Sequence, residues 1–337
     1  MLLVTWLGLG LAFGYVIHLA RLTDGVSSVA NSNAGNAHAP SVPALQADTE
    51  VSSRAPQRLA ADVTDPPANG ASTVAVTPGI AGLARSARKP DGTLAADFAD
   101  LQDTLNVHRI GVAFAPVGSD DPMELGDWTT GAAWSTIKVA LSIAVFREPP
   151  NKTTTSLVHN AITRSDNAAA EKLWAHLGGG RDAAAAVDAV LADHGDGRTK
   201  TQPDRTRASF TPFGQTTWSL ADQVVFASHL ACTSSDSKVV EEMRSVTPEQ
   251  RWGLGRLPGA AFKGGWGPDL SGRYLVRQFG VVEVHGRSVA VAIAAEPRSG
   301  TFADGTAALN RVAAWLARSL PPQQGSCVAA APRVLSR

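Results

Sequence analysis

Between residues 92 and 320 the hydrophobic period of the chain changes twice, and the order of those changes narrows the possible folds more than any other feature. "TLAADFADLQDTLNV" (93–107) carries Leu94, Phe98, Leu101 and Leu105 at helical spacing. "RIGVAFAPV" (109–117) follows as a short strand, and "MELGDW" (123–128) can pair with it as a hairpin. Helical stretches then cover 134–147, 153–163, 166–177, 181–194 and 219–231. Near residue 260 strand character returns: "AAFKGG", "YLVRQFGVVEVHG" and "RSVAVAIAAEP" read as three strands, with His285–Gly286 as a tight turn. A last helix over 303–319 buries Leu309, Val312, Trp315 and Leu316, and Pro321–Pro322 ends it. Strands at both ends of the domain with helices between them imply one five-stranded antiparallel sheet. The two terminal helices flank one face, and the block forms a helical subdomain beside it, an α/β (α+β) architecture. A cleft belongs where block and sheet meet.

The flanks read differently. Residues 1–21 are apolar with no charged side chain before Arg21, a signal peptide or a membrane anchor. Residues 22–91 are rich in Ala, Ser, Pro, Thr and Asn and keep neither period, so they cannot bury enough apolar surface to offset their ordering entropy. This tract is expected to be a disordered linker, and residues 321–337 a tail. The domain is therefore expected outside the cytoplasm, secreted or membrane-anchored. There Cys232 and Cys327 can form a disulfide, although two free thiols fit the sequence equally. Neither cysteine has a neighbour at metal-ligand spacing, so no metal or other cofactor is expected. With 30 basic and 30 acidic side chains, nothing in the charge balance favours nucleic acid or an anionic membrane face.

Three short segments carry chemistry. In "GAAWSTIKVALSIAVF" (131–146), Ser135 and Lys138 lie one turn apart at the start of an apolar run. A serine hydroxyl needs a nearby base at neutral pH, and a lysine whose pKa is depressed by burial can serve. "ITRSDNAAAEKLW" holds Ser165, Asp166 and Asn167, and "AAFKGGWG" holds Lys263, Gly264, Gly265 and Trp266. Each alone has an ordinary explanation: a serine capping a helix while a lysine snorkels, a helix cap with Glu171 on the solvent face, a surface lysine before a turn.

Together and in this order, "STIK", "SDN" and "KGG" resemble the signature of the penicillin-recognising serine enzymes, the class A β-lactamases and D,D-peptidase penicillin-binding proteins. The resemblance spans about 92–320, and the interval from Ser135 to Ser165 is nearest the class A layout. It implies a β-lactamase/D,D-peptidase-like fold in which Ser135 forms the acyl-enzyme and Lys138 is its base. Ser165 would relay protons, and Asn167, Lys263, Gly264 and Gly265 would hold the substrate. The amides of Ser135 and Trp266 would form the oxyanion hole. The implied partner is a small-molecule or peptidoglycan-derived substrate, and the implied state a monomer.

Two departures qualify these expectations. Gly264 stands where the family usually has a hydroxyl residue that bonds the substrate carboxylate, a loss of roughly 1.5–3 kcal/mol. Trp266 is bulky enough to crowd the same spot. The window 194–220, where class A enzymes keep a glutamate for deacylation, has no glutamate, only Asp196 and Asp204. The sequence thus favours a serine hydrolase that acts on an amide or ester through a Ser135 acyl-enzyme and is a poor β-lactamase. It also leaves open a catalytically degenerate protein that binds a cell-wall fragment or protein partner.

Overall fold

The computed structural model describes residue 85 and residues 87–327. The apolar segment 1–21, most of the tract 22–91 and the tail beyond 327 lie outside the described residues. Among the described residues no helix is long and apolar enough to cross a membrane.

In chain order the domain runs α1 (Gly92–Asp103), β1 (Val107–Pro116), β2 (Met123–Gly126) and β3 (Thr130–Ala132), then a 3-10 turn Trp134–Ile137 leading into α2 (Lys138–Phe146). It continues with α3 (Lys152–Thr163), α4 (Asn167–His176), α5 (Gly180–Asp193), β4 (Thr217–Ser219), α6 (Leu220–Leu230) and α7 (Ser237–Arg244). The chain closes with β5 (Ala261–Pro268), β6 (Tyr274–Val284), β7 (Arg287–Pro297) and α8 (Phe302–Ser319). The helix starts have local causes: side chains of Asp91, Asp166, Ser219 and Thr301 accept the first free amides of α1, α4, α6 and α8, and Asn151 with Thr154 closes a capping box on α3.

The main sheet has the order β2-β1-β7-β6-β5 with every neighbour antiparallel, so strands from both ends of the domain share it. His285 (φ 50°) and Gly286 (φ 71°) make the two-residue turn between β6 and β7, with the positive φ at both positions that a type I′ hairpin turn requires. Both faces are buried. Ile110, Val112, Phe114, Val291 and Ile293 face α1 and α8, where Phe98 stacks edge-on against Trp315 at 5.0 Å. Ala113, Ala115, Ala290, Ala292 and Ala294 face the helical block, small enough for α6 to lie close. Double burial explains why these strands read as continuous apolar runs rather than alternating ones.

Several expectations are adjusted. The segment 134–147 is not one α-helix, because its first turn is 3-10. Strand β1 starts at Val107, where the chain leaves the α1 cap at Thr104. A two-stranded sheet of β3 and β4, and helix α7, were not anticipated. Contacts with the domain begin inside the tract expected as linker. The Arg85 guanidinium donates to Asp222 Oδ1 (3.2 Å) and to the Gly195 carbonyl (2.6 Å), and Arg88 bridges to Met123. At the other end the chain returns beside Val117 and Gly118, and Cys327 is disulfide-bonded to Cys232.

Candidate active site

The start of α2 is pressed against β5. Trp134 has φ 51°, a left-handed conformation that a bulky residue adopts only when its surroundings impose it. In a 3-10 turn residues i and i+3 eclipse, so Ser135 and Lys138 remain on one side despite the change of helix type. On β5, side chains alternate between the two faces. Positions 263, 265 and 267 face the helical block, and 262, 264 and 266 face α8. A Cβ on Gly265 would lie 2.9 Å from both Ala133 O and Ser135 N, so only glycine lets the strand pass this close to the turn. One residue pair on, the Trp134 indole covers Gly267.

Two buried lysines converge on Ser165. Lys138 Nζ donates to the Ser165 carbonyl (2.6 Å) and to Asn167 Oδ1 (2.7 Å). Lys263 Nζ donates to Ser165 Oγ (2.8 Å) and to the Gly264 carbonyl (2.9 Å). Ser165 has φ 60°, which turns its carbonyl and hydroxyl to different lysines just before the Asp166 cap of α4. Burial lowers Lys138 to about 7, opposed by the carboxylates of Asp166 and Glu171. Burial, with the Lys138 charge nearby, holds Lys263 well below the usual lysine range. A neutral amine has two N–H bonds and one lone pair. Both N–H bonds of neutral Lys138 are taken up by Ser165 and Asn167, which leaves the lone pair as its remaining function. Ser135 is half-buried, and its Oγ has no hydrogen-bond partner among the described residues.

A cavity of about 210 Å³ opens over this cluster. Ser135, Asn167 and Trp134 line it on one side; Phe210 and Thr211 come from the 194–216 loop, and Trp266, Pro268 and Tyr274 from the end of the sheet. Arg207 crosses from that loop, with its guanidinium 4.3 Å from the Phe210 ring centroid and Nη1 donating to Pro268 O at 2.7 Å.

Of the sequence-predicted site residues, Ser135, Asn167 and Trp266 line the cavity, while Lys138, Ser165 and Lys263 form the hydrogen-bonded cluster next to it and Gly264 and Gly265 lie on β5. The Trp266 indole packs on Phe302 (5.1 Å) and Trp252 (6.1 Å) on the α8 face, and the residue also borders the cavity. Those rings also fill the direction a side chain at 264 would take: a Cβ there would meet Trp252 at 3.2 Å and Trp266 at 3.6 Å. Neither loop acid lines the cavity. Asp196 is buried and accepts from Trp218 Nε1 and the Arg198 and Thr199 amides, and Asp204 is exposed. Burial raises the Asp196 carboxyl above its usual range. Glu171 is not a bare surface residue, because Arg205 pairs with it at 2.7 Å and its charge reaches Lys138. Sequence reading missed Trp134, Phe210 and Arg207; an aromatic directly before Ser135 was the available signal. Among the described residues no cluster of His, Cys, Asp and Glu can hold a metal.

No family model matches the chain, and no curated protein matches it. Solved structures do. A class A β-lactamase from Bacteroides cellulosilyticus DSM 14838 aligns over 69% of this chain and 99% of its own, at 14% identity and a TM-score of 0.55. A β-lactamase from Chitinophaga pinensis DSM 2588 aligns over 67% and 98%, at 17% identity and 0.54. A class A β-lactamase from Mycobacterium abscessus aligns over 65% and 97%, at 16% identity and 0.50. Identities this low bear on the fold alone, and the fold of this chain is the β-lactamase-like one: a five-stranded antiparallel sheet flanked by helices.

Proposed function

We propose that this protein is a serine hydrolase of the β-lactamase/penicillin-binding type, which takes the acyl group of an ester or amide onto Ser135 and releases it slowly. The observation that carries this reading is the buried Lys138 amine one turn after Ser135, whose N–H bonds are taken up by Ser165 and Asn167 so that its lone pair remains. Lys138 Nζ takes the proton from Ser135 Oγ as that oxygen attacks the carbonyl carbon. The carbonyl becomes an oxyanion held by the amides of Ser135 and Trp266, which both border the cavity. Collapse breaks the bond to the leaving group, which receives its proton from the Ser165 hydroxyl. The proton that Lys138 took from Ser135 then replaces it and leaves Lys138 neutral again, while Lys263 holds the Ser165 hydroxyl by donating to it at 2.8 Å. Asn167 orients Lys138 and the substrate.

Lys263 has 0% exposure and is bonded to Ser165 and Gly264, and position 264 offers no hydroxyl. A substrate carboxylate therefore gets a weak hold, and the aromatic walls favour an acyl group with apolar surface. Since among the described residues no carboxylate lines the cavity, water attack on the acyl-enzyme lacks a carboxylate base, and β-lactams should be hydrolysed poorly. We place the domain outside the cytoplasm, secreted or anchored through residues 1–21, acting as a monomer on a small or peptidoglycan-derived substrate without a cofactor. The test is intact-mass measurement with a fluorophosphonate and a penicillin on the wild type and S135A. A single adduct on the wild type, absent from S135A and stable for hours with penicillin, is expected. Equal labelling of S135A removes Ser135 as the nucleophile. Absence of any adduct and of turnover favours the other reading, a fold kept for binding, which the KGG sequence supports.

A further inference from the structure

The block-facing side of β6 carries an arginine with no acidic partner among the described residues. Arg277 stands opposite Gly265 across the β5–β6 pair, so its side chain leaves the sheet on the face that touches the Ser135 turn. It has 0% exposure. Its Nη1 donates to the carbonyls of Gly131 (3.1 Å), Ala132 (3.0 Å) and Trp218 (3.1 Å), and its Nη2 donates to Gln223 Oε1 (2.8 Å). The guanidinium carbon sits 5.0 Å from the Trp128 ring centroid, and Nε has no partner among the described residues. Burial lowers its pKa to about 9, so the group stays charged at neutral pH.

A buried cation without a carboxylate is costly, and core packing alone is served better by an apolar side chain. What this one touches explains its presence. Gly131 and Ala132 belong to β3, the strand that delivers the chain to Trp134, and Trp218 belongs to β4, which pairs with β3. Gln223 carries the network onward: its Nε2 donates to Thr136 Oγ1 (3.0 Å), and that hydroxyl donates to Ala133 O (2.6 Å). The Ala133 amide in turn donates to Thr216 O (2.7 Å). Residues on both sides of Trp134 and Ser135 are thus fixed by one guanidinium, directly at 131 and 132 and through Gln223 at 136. Between those fixed points lies Trp134 in its left-handed conformation, which relaxes unless both flanks are held.

We propose that Arg277, acting through Gln223 and Thr136, is the positioning residue that holds the Ser135 turn in the geometry acylation needs. The inference rests on reading Ser135 as the nucleophile. Its test therefore pairs a kinetic readout with one that does not need chemistry. Full-length T136V, R277K and R277M are compared with the wild type. The readouts are the maximal rate and half-saturating concentration of fluorophosphonate labelling, and hydrogen exchange at the backbone amides of 131–137. Thr136→Val keeps the volume and removes only the last link. It should leave the melting temperature within about 4 °C of wild type. The maximal labelling rate should fall at least about tenfold with an unchanged half-saturating concentration, because a misplacement of about an ångström has that effect. Exchange at Ser135 and Thr136 should quicken. R277K, which keeps the charge and part of the bonding, should fall between R277M and wild type in both readouts. Should R277M not fold, T136V and R277K carry the test. Wild-type exchange and wild-type labelling in both of them overturn the proposal. If the wild type itself is not labelled, the nucleophile reading fails. Quickened exchange in the variants then still supports Arg277 as the support of the turn, and unchanged exchange refutes it.

Discussion

The chemistry proposed for Ser135 depends on a proton that Lys138 lacks, and this gives the first quantity to measure. Burial, opposed by Asp166 and Glu171, lowers Lys138 to about 7. Below that pH the ammonium has no lone pair, and above it the amine can accept the Ser135 proton. The rate of Ser135 labelling should therefore rise as pH increases through about 7 and level off beyond it, and K138A should abolish labelling across the range. The same shift governs stability with a definite sign. An unfolded lysine near its ordinary value of 10.5 binds a proton that the folded one lacks between about 7 and 10.5, so stability should increase with pH across that window. Urea unfolding of wild type and K138M at pH 7, 8.5 and 10 checks this, and the mutant should lose the Lys138 part of the dependence. A labelling profile that is flat from pH 5 to 9 would rule Lys138 out as the base. That Ser135 and Lys138 lie one turn apart was legible from their spacing. The strain at Trp134 and the division of Ser165 between two lysines were not, because both arise from backbone angles that no residue pattern encodes.

Among the elements, β5 decides how the site differs from the hydroxyl-bearing version of its motif. Substitution of Gly264 by threonine looks like a simple restoration, yet its Cβ would come within 3.2–3.4 Å of the Trp252 ring. Overpacking of this kind costs about 1–3 kcal/mol. G264T should therefore lower the midpoint of urea unfolding and should not speed reaction with carboxylate-bearing β-lactams; a faster penicillin acylation rate at unchanged stability would show that the indoles move aside. The sequence exposed the strand and its lysine but not which way Trp266 turns, since alternation along a strand needs a known starting face. The same limit hid β3 and β4, three residues each, too short to show a period. It also hid α7, whose "SKVVEEMR" has only Val239 and Met243 as buried apolar contacts. The long sheet strands and α8, with apolar runs of many residues, were plain from pattern alone.

At the level of the whole molecule, both ends of the described chain are fastened to the same domain. Arg85 binds the half-exposed start of the fold to Asp222 and Gly195, and the Cys232–Cys327 bond draws the segment after α8 back to the end of α6. The bond joins residues 95 apart in sequence, with Cα atoms 5.1 Å from each other. In the chain-entropy view a loop of that length restricts the unfolded ensemble strongly, and typical native bonds stabilise by about 2–4 kcal/mol. The contribution acts mainly on the unfolded state, so the Lys138–Lys263 cluster, whose own contacts run through Ser165, Asn167 and Gly264, need not change when the bond is absent. The C232S/C327S double variant should thus lose about 2–4 kcal/mol in urea unfolding while its maximal rate of Ser135 labelling stays at the wild-type value under native conditions. Thiol titration of the denatured, unreduced wild type should find no free thiol. Two free thiols there would remove the bond from the protein as it exists, and a double variant of unchanged stability would show that packing of 321–327 holds the chain end without it. Slowed labelling in a folded double variant would tie the tail to the Ser135 turn and contradict the separation argued here.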